Sequence, residues 1–195
     1  MRFIHGIAGL VLFFELPIPI YWLILHPFNS FWRSRMRTAF WFAGLSAWTS
    51  GGVLLWVFRH SLLAPSRPSW IAIVAGFALI SAEGYLLVRV ARELGSRRLV
   101  GHAELTGKGE MFSGGLYAFV RHPRYAGMFG ALLGAALLAG SPLLWIVLLL
   151  WCPFAVFAIR LEEVELAARF GPGYEEYRKR VPAFLPIRRR HTGRL

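Results

Sequence analysis

The sequence predicts an all-α integral membrane protein with about five transmembrane helices, and three observations predict it. Of its 195 residues, 56% are hydrophobic and only 16% charged, too apolar for a soluble domain of this length. The charged residues are gathered into blocks, which leaves apolar stretches near the ~20 residues needed to cross a hydrocarbon core of about 30 Å. These stretches are too long and continuous for barrel strands, and in lipid a helix satisfies its own backbone polar groups.

The first span covers residues 3–25. With Arg2 ahead of it the segment looks like a signal peptide, but no small-residue cleavage pattern follows, so it is read as an uncleaved first helix. Residues 39–58 and 70–90 form the second and third spans. Residues 125–159 are almost continuously apolar, and Ala139-Gly140-Ser141-Pro142 breaks them into a tight hairpin whose first member is short. The segment from Leu161 continues the fifth helix to a break at Gly171-Pro172-Gly173. A short polar helix over 174–180 then ends near Pro182. Between the third span and the hairpin, residues 91–120 carry Gly95, Gly101, Gly107, Gly109, Gly114 and Gly115 and read as a flexible lid or cap.

The formal charge of +12 invites a nucleic-acid reading, but the basic residues stand beside span ends, as the positive-inside rule requires, so membrane lipids are the expected partners and nucleic acid is not. Counted over alternating sides of five spans, Lys and Arg divide nineteen against three. This places the C-terminus in the cytoplasm and the N-terminus outside. Cys152 is the only cysteine, and the six histidines lack the short spacing that sets two ligands on one helix face, so no metal is expected.

Arg121-His122-Pro123-Arg124-Tyr125 opens the fourth span. Alone, it is an ordinary interfacial flank, with Pro at the first helical position and Tyr in the aromatic belt. Glu162-Glu163 changes the balance, because it leaves the membrane on the same side and the hairpin brings the two segments together. Negative charge at a helix C-terminus opposes the macrodipole, so these carboxylates need partners elsewhere. Successive helical residues diverge by about 100°, so one of the pair faces Arg121 and His122 while the other meets the tail or the lid. Glu15, near the middle of the first span, is a candidate substrate-pocket residue, because an ionised carboxylate at that depth turns toward a protein interior. The competing account is that Pro17 and Pro19 break the helix and bring Glu15 nearer water. Glu83 in the third span is a similar case, with Arg89 and the interface close enough for it to form a structural pair instead.

The ordered set Arg121-His122-Pro123-x-Tyr125-x-Gly127, an apolar hairpin, Glu162-Glu163, Phe170-Gly171-x-x-Tyr174-x-x-Tyr177 and Val181-Pro182 resembles the isoprenylcysteine carboxyl methyltransferase family. It is also similar to phospholipid N-methyltransferases, over roughly residues 114–186. The chain is read as two parts, three N-terminal transmembrane helices over 1–90, which hydropathy gives and the resemblance does not cover, and a cofactor-binding module over 91–195. It implies an S-adenosylmethionine-dependent membrane methyltransferase, with Tyr117, His122, Pro123, Tyr125, Glu162 and Glu163 binding the cofactor and Arg121 and Glu163 serving catalysis. The acceptor is then a lipophilic small molecule or lipid-modified substrate that enters from the bilayer. A carboxylate acceptor needs only a cation to hold it, whereas an amine must lose a proton. The resemblance leaves O-, N- and S-methylation open, and Ala183 stands where many relatives carry an Arg after Val-Pro. Membrane sterol reductases share part of the motif but bind a nicotinamide dinucleotide and are larger; a non-catalytic lipid-binding scaffold would not need the ordered motif.

Overall fold

The computed structural model describes residues 2–63, 67–95 and 110–184. Most of the expected glycine-rich lid, including Gly101, Gly107 and Gly109, and the last eleven residues lie outside the described residues. All regular structure among the described residues is helical, as the sequence predicts.

The first span is two helices, α1 (Arg2–Glu15) and α2 (Ile18–Leu25), which together present 24 residues long and apolar enough to cross a membrane. The bend between them falls at Leu16-Pro17, because Pro17 and Pro19 have no N–H to offer the preceding turn. Trp151 Nε1 donates to the Leu16 carbonyl at 3.3 Å, so a later helix supplies a partner at the bend. A short helix, α3 (Asn29–Arg33), leads into α4 (Met36–Val57), and a single turn, α5 (Arg59–Leu62), follows it. α6 (Trp70–Leu94) starts at Ser69, whose hydroxyl accepts from the Ala72 N–H at 3.2 Å as an N-cap, and runs past the expected end at Val90.

The hairpin consists of α7 (Pro123–Ala139) and α8 (Pro142–Phe170). Its turn is built as the sequence suggests: Gly140 closes α7 at φ 63°, Pro142 opens α8, and Ser141 Oγ donates to the Ser61 carbonyl at 2.7 Å. With 17 residues, α7 is about 25 Å long, shorter than the four helices that meet the length for a crossing. It is also the most enclosed helix. Ala131, Ala135, Ala136 and Ala139 are buried, and small residues let its backbone approach α6 closely. A Cβ on Gly76 of α6 would stand 2.9 Å from the Gly134 carbonyl of α7, and one on Gly134 would stand 2.7 Å from the Gly76 carbonyl. α8 continues unbroken to Phe170; Gly171 then turns the chain at φ 57° into α9 (Pro172–Arg180), which begins two residues before the expected helix.

Candidate functional site

α7 begins at the motif. Pro123 occupies its first turn, and His122 sits just outside it at φ −124°. The tail returns over this corner after α9: the Arg121 N–H donates to the Pro182 carbonyl at 2.9 Å and the His122 N–H to the Ala183 carbonyl at 3.0 Å. Only carbonyls are used there, so a proline in the tail costs no hydrogen bond.

Glu163 is the half of the carboxylate pair that faces the motif. Its Oε1 accepts from Arg121 Nε at 3.0 Å and Nη2 at 2.7 Å, and lies 3.0 Å from His122 Nε2. Arg121 Nη1 donates to the Arg178 carbonyl at 2.9 Å and also to that of Val181, so one guanidinium joins α8, α9 and the tail. With Nε2 turned to Glu163, His122 presents Nδ1 toward Glu162, whose Oε2 is 3.9 Å away, too long for a hydrogen bond.

A cavity of about 1130 Å³ opens beside this corner. One end is polar and holds Arg121, His122, Tyr125 and Glu162, with Tyr117 from a 3-10 turn (Gly115–Ala118) and Tyr174 and Tyr177 from α9. The other end is apolar and is walled by Phe13, Leu45, Trp48 and Val53 of α1 and α4. Tyr177 donates from its hydroxyl to the Tyr117 carbonyl at 2.7 Å and stays neutral, because burial pushes its pKa up to about 12. Burial raises Tyr174 further. The hydroxyls of Tyr125 and Tyr174 are both buried in the cavity wall without a hydrogen-bond partner among the described residues. Buried polar groups of this kind are uncommon unless a ligand or water meets them.

Of the residues singled out in the sequence, Arg121, His122, Tyr117, Tyr125 and Glu162 line the cavity. Pro123 is buried behind it, and Glu163 stands behind Arg121 and His122. Glu15 does not reach the wall. It pairs with Arg124 at 2.9 Å, and Arg124 Nη1 also donates to Glu83, so α1, α6 and α7 meet in a cluster of two buried carboxylates and one half-buried guanidinium that lines the cavity. Gly127 makes room for this cluster, because a Cβ there would collide with the Glu83 carboxylate. The expected Glu83–Arg89 pair is corrected: Arg89 bonds Glu93 at 2.9 Å instead. Sequence reasoning also missed a second pair, His26 with Glu165 at 2.9 Å, whose histidine lines the cavity. The signals were present, since each intramembrane Glu needs a cation and Arg124 fills the motif's variable position.

Fold and site together define a helical membrane protein with a cavity that runs from a charged motif at the helix ends to an apolar interior. The chain belongs to the phospholipid methyltransferase family, whose model matches residues 71–173. Over 75 residues, 37% of the chain, it is 44% identical to the protein-S-isoprenylcysteine O-methyltransferase of Schizosaccharomyces pombe, covering 31% of that protein. The Homo sapiens protein of the same name is 36% identical over 79 residues, 40% of the chain and 28% of the relative. Methanethiol S-methyltransferase 1 of Bradyrhizobium diazoefficiens is 38% identical over 74 residues, 38% of the chain and 25% of the relative. The match therefore spans less than a third of the length of each of these relatives. No solved structure matches the chain.

Proposed function

We propose that this chain transfers a methyl group from S-adenosylmethionine to a lipophilic acceptor. The observation that carries the reading is the cavity itself, which joins the motif's polar end to an apolar interior and buries two partnerless tyrosine hydroxyls in its wall. The donor set fits the group. A carboxylate at Glu162 suits an ammonium or ribose hydroxyls, the Tyr125 and Tyr174 hydroxyls and His122 Nδ1 offer further polar contacts, and Phe112 and Tyr117 supply an aromatic wall for a base. The family match and the names of the relatives, all methyltransferases, support the same class.

When bound, the sulfonium cofactor supplies a methyl group that is already activated. The protein's task is then to align two reactants and exclude water, which is where effective concentration lowers the barrier. Glu162, His122 and the tyrosines serve as the binding face. Arg121 and Glu163, committed to each other, serve to hold that face and the tail in register.

Titration of the detergent-purified chain with S-adenosylhomocysteine and, separately, with NADPH tests the reading: the first is expected to bind and the second not. Glu162→Gln should weaken S-adenosylhomocysteine by about ten- to a hundredfold, the worth of one charge-assisted hydrogen bond, with unchanged thermal melting. Undiminished affinity in that variant would remove Glu162 from the site.

We also propose that the C-terminus faces the cytoplasm and the N-terminus the outside, which the division of Lys and Arg supports and which requires α7 to cross with the four longer helices. In a Cys152→Ser background, Phe3→Cys should react with a membrane-impermeant maleimide on intact cells, and Thr192→Cys only after permeabilisation. Labelling of both on intact cells would put the two ends on one side and leave an even number of crossings.

A further inference from the structure

The family match begins at residue 71, yet α1, α2 and α4 supply a whole wall of the cavity. Among the described residues, that wall is almost entirely apolar and aromatic. His26 is its one side chain that exchanges a proton near neutral pH. It follows the last turn of α2, its backbone N–H bonded to the Trp22 carbonyl at 2.9 Å and its ring stacked on the Trp22 indole at 5.1 Å. Nδ1 lies 2.9 Å from Glu165 Oε2, and the two side chains are 3% and 16% exposed. Glu165 is less than one turn beyond Glu162 on α8, so the pair sits beside the proposed cofactor end.

A carboxylate on Nδ1 fixes the ring and its tautomer, leaves Nε2 as the proton-accepting nitrogen and makes it more basic. A second observation concerns cations. Arg124 gives one amino group to Glu15 and the other to Glu83, and Arg121 is bound by Glu163 and two tail carbonyls. An incoming carboxylate would find Arg121 and Arg124 already committed, would meet Glu162 in the same wall and would approach two further carboxylates behind Arg124. The third guanidinium of the wall, Arg169, lies over the Phe170 ring at 4.8 Å.

Resting on the methyl-transfer reading, we propose that His26, oriented by Glu165, is the general base of the reaction, and that the acceptor is a protic nucleophile, a thiol or an amine on an apolar body, rather than a carboxylate. The acceptor's lone pair attacks the methyl carbon, and the new bond from sulfur or nitrogen to carbon forms as the carbon–sulfonium bond breaks. That bond's electrons remain on the cofactor sulfur as a neutral thioether. The acceptor's proton passes to His26 Nε2 and from there to water. The charged or titratable groups that line the same cavity are Tyr21 of α2, Glu110, Tyr117 of the 3-10 turn, Arg121 and His122 before α7, Arg124 and Tyr125 of α7, Glu162 and Arg169 of α8, and Tyr174 and Tyr177 of α9, with Glu165 bonded to His26 directly.

The test uses the full chain in detergent with three acceptor probes, dodecanethiol, dodecylamine and N-acetyl-S-farnesylcysteine, and labelled S-adenosylmethionine. At least one protic probe should be methylated and the carboxylate probe not. His26→Asn keeps an amide N–H for Glu165 but has no base; it should lower kcat about a hundredfold while S-adenosylhomocysteine binds as in the parent. Glu165→Gln makes the imidazole less basic, so the acid limb of the kcat profile should move to lower pH as its plateau falls. A pair that merely tied α2 to α8 would change melting without moving that limb. Methylation of the carboxylate probe in preference, methylation of neither protic probe, or unchanged kcat in His26→Asn overturns the assignment. An unaltered acid limb in Glu165→Gln does the same for the dyad. Failure of the parent to bind S-adenosylhomocysteine would instead sink the methyl-transfer reading beneath it.

Discussion

Arg124→Met is expected to cost about 3–5 kcal/mol of stability, the usual result of breaking a buried ion pair by removing one partner. Glu15 on α1 and Glu83 on α6 are 8% and 5% exposed, and the guanidinium of α7 lies between them. Without it, two carboxylates face each other in a medium that solvates neither. For a chain of this size the change corresponds to a fall in melting temperature of roughly 6–20 °C. Glu15→Gln should be far milder, because Arg124 and Glu83 remain as a neutral pair. The triple variant Glu15→Leu, Glu83→Leu, Arg124→Met should regain most of the loss, since apolar groups of similar volume replace buried ions at little cost. A single Arg124→Met variant that melts within 2 °C of the parent would show that the cluster is not what joins α1, α6 and α7.

The sequence and the structure part company in an instructive way around this cluster. The hairpin, the tail helix and four helices long and apolar enough to cross are readable, because hydropathy, Gly-Pro breaks and the length of a crossing are local properties; α7, the fifth expected span, falls short of that length. Pairings between spans are not readable. Glu83 and Arg89 are close in sequence, yet six residues turn a helix through about 600°, which puts the two on different faces; the residue at i+4 from Arg89, Glu93, is the one it binds. Its true partner, Arg124, is 41 residues away, and Glu15 is 109 from the same arginine. Neither separation leaves a periodic trace. The His26–Glu165 pair, 139 residues apart, is hidden in the same way. For Glu162 and Glu163, helical geometry alone required that they diverge. Which of them meets Arg121 depends on the rotation of α8 against α7 and the tail, and packing sets that rotation.

That division of labour gives the second large effect. Glu163→Ala is expected to destabilise the chain by about 3 kcal/mol, whereas Glu162→Ala should leave melting unchanged and weaken S-adenosylhomocysteine binding. Glu163 Oε1 meets three nitrogens of Arg121 and His122, and Arg121 in turn bonds the carbonyls of Arg178 and Val181. Deleting the carboxylate leaves a guanidinium that is only 11% exposed without its counter-charge, and the tail loses its anchor to α8. Binding should then fall more than tenfold even below the melting transition, because Tyr174 and Tyr177 reach the cavity only while α9 stays docked. Adding Arg121→Met to Glu163→Ala should restore much of the stability, since no unpaired charge remains, but not the affinity. Glu176→Ala, at an exposed position on α9, serves as the control with little change in either quantity. Calorimetry and thermal melting on the same preparations decide it: equal melting for Glu162→Ala and Glu163→Ala would mean that the two carboxylates do not have the separate roles that their directions on α8 assign them.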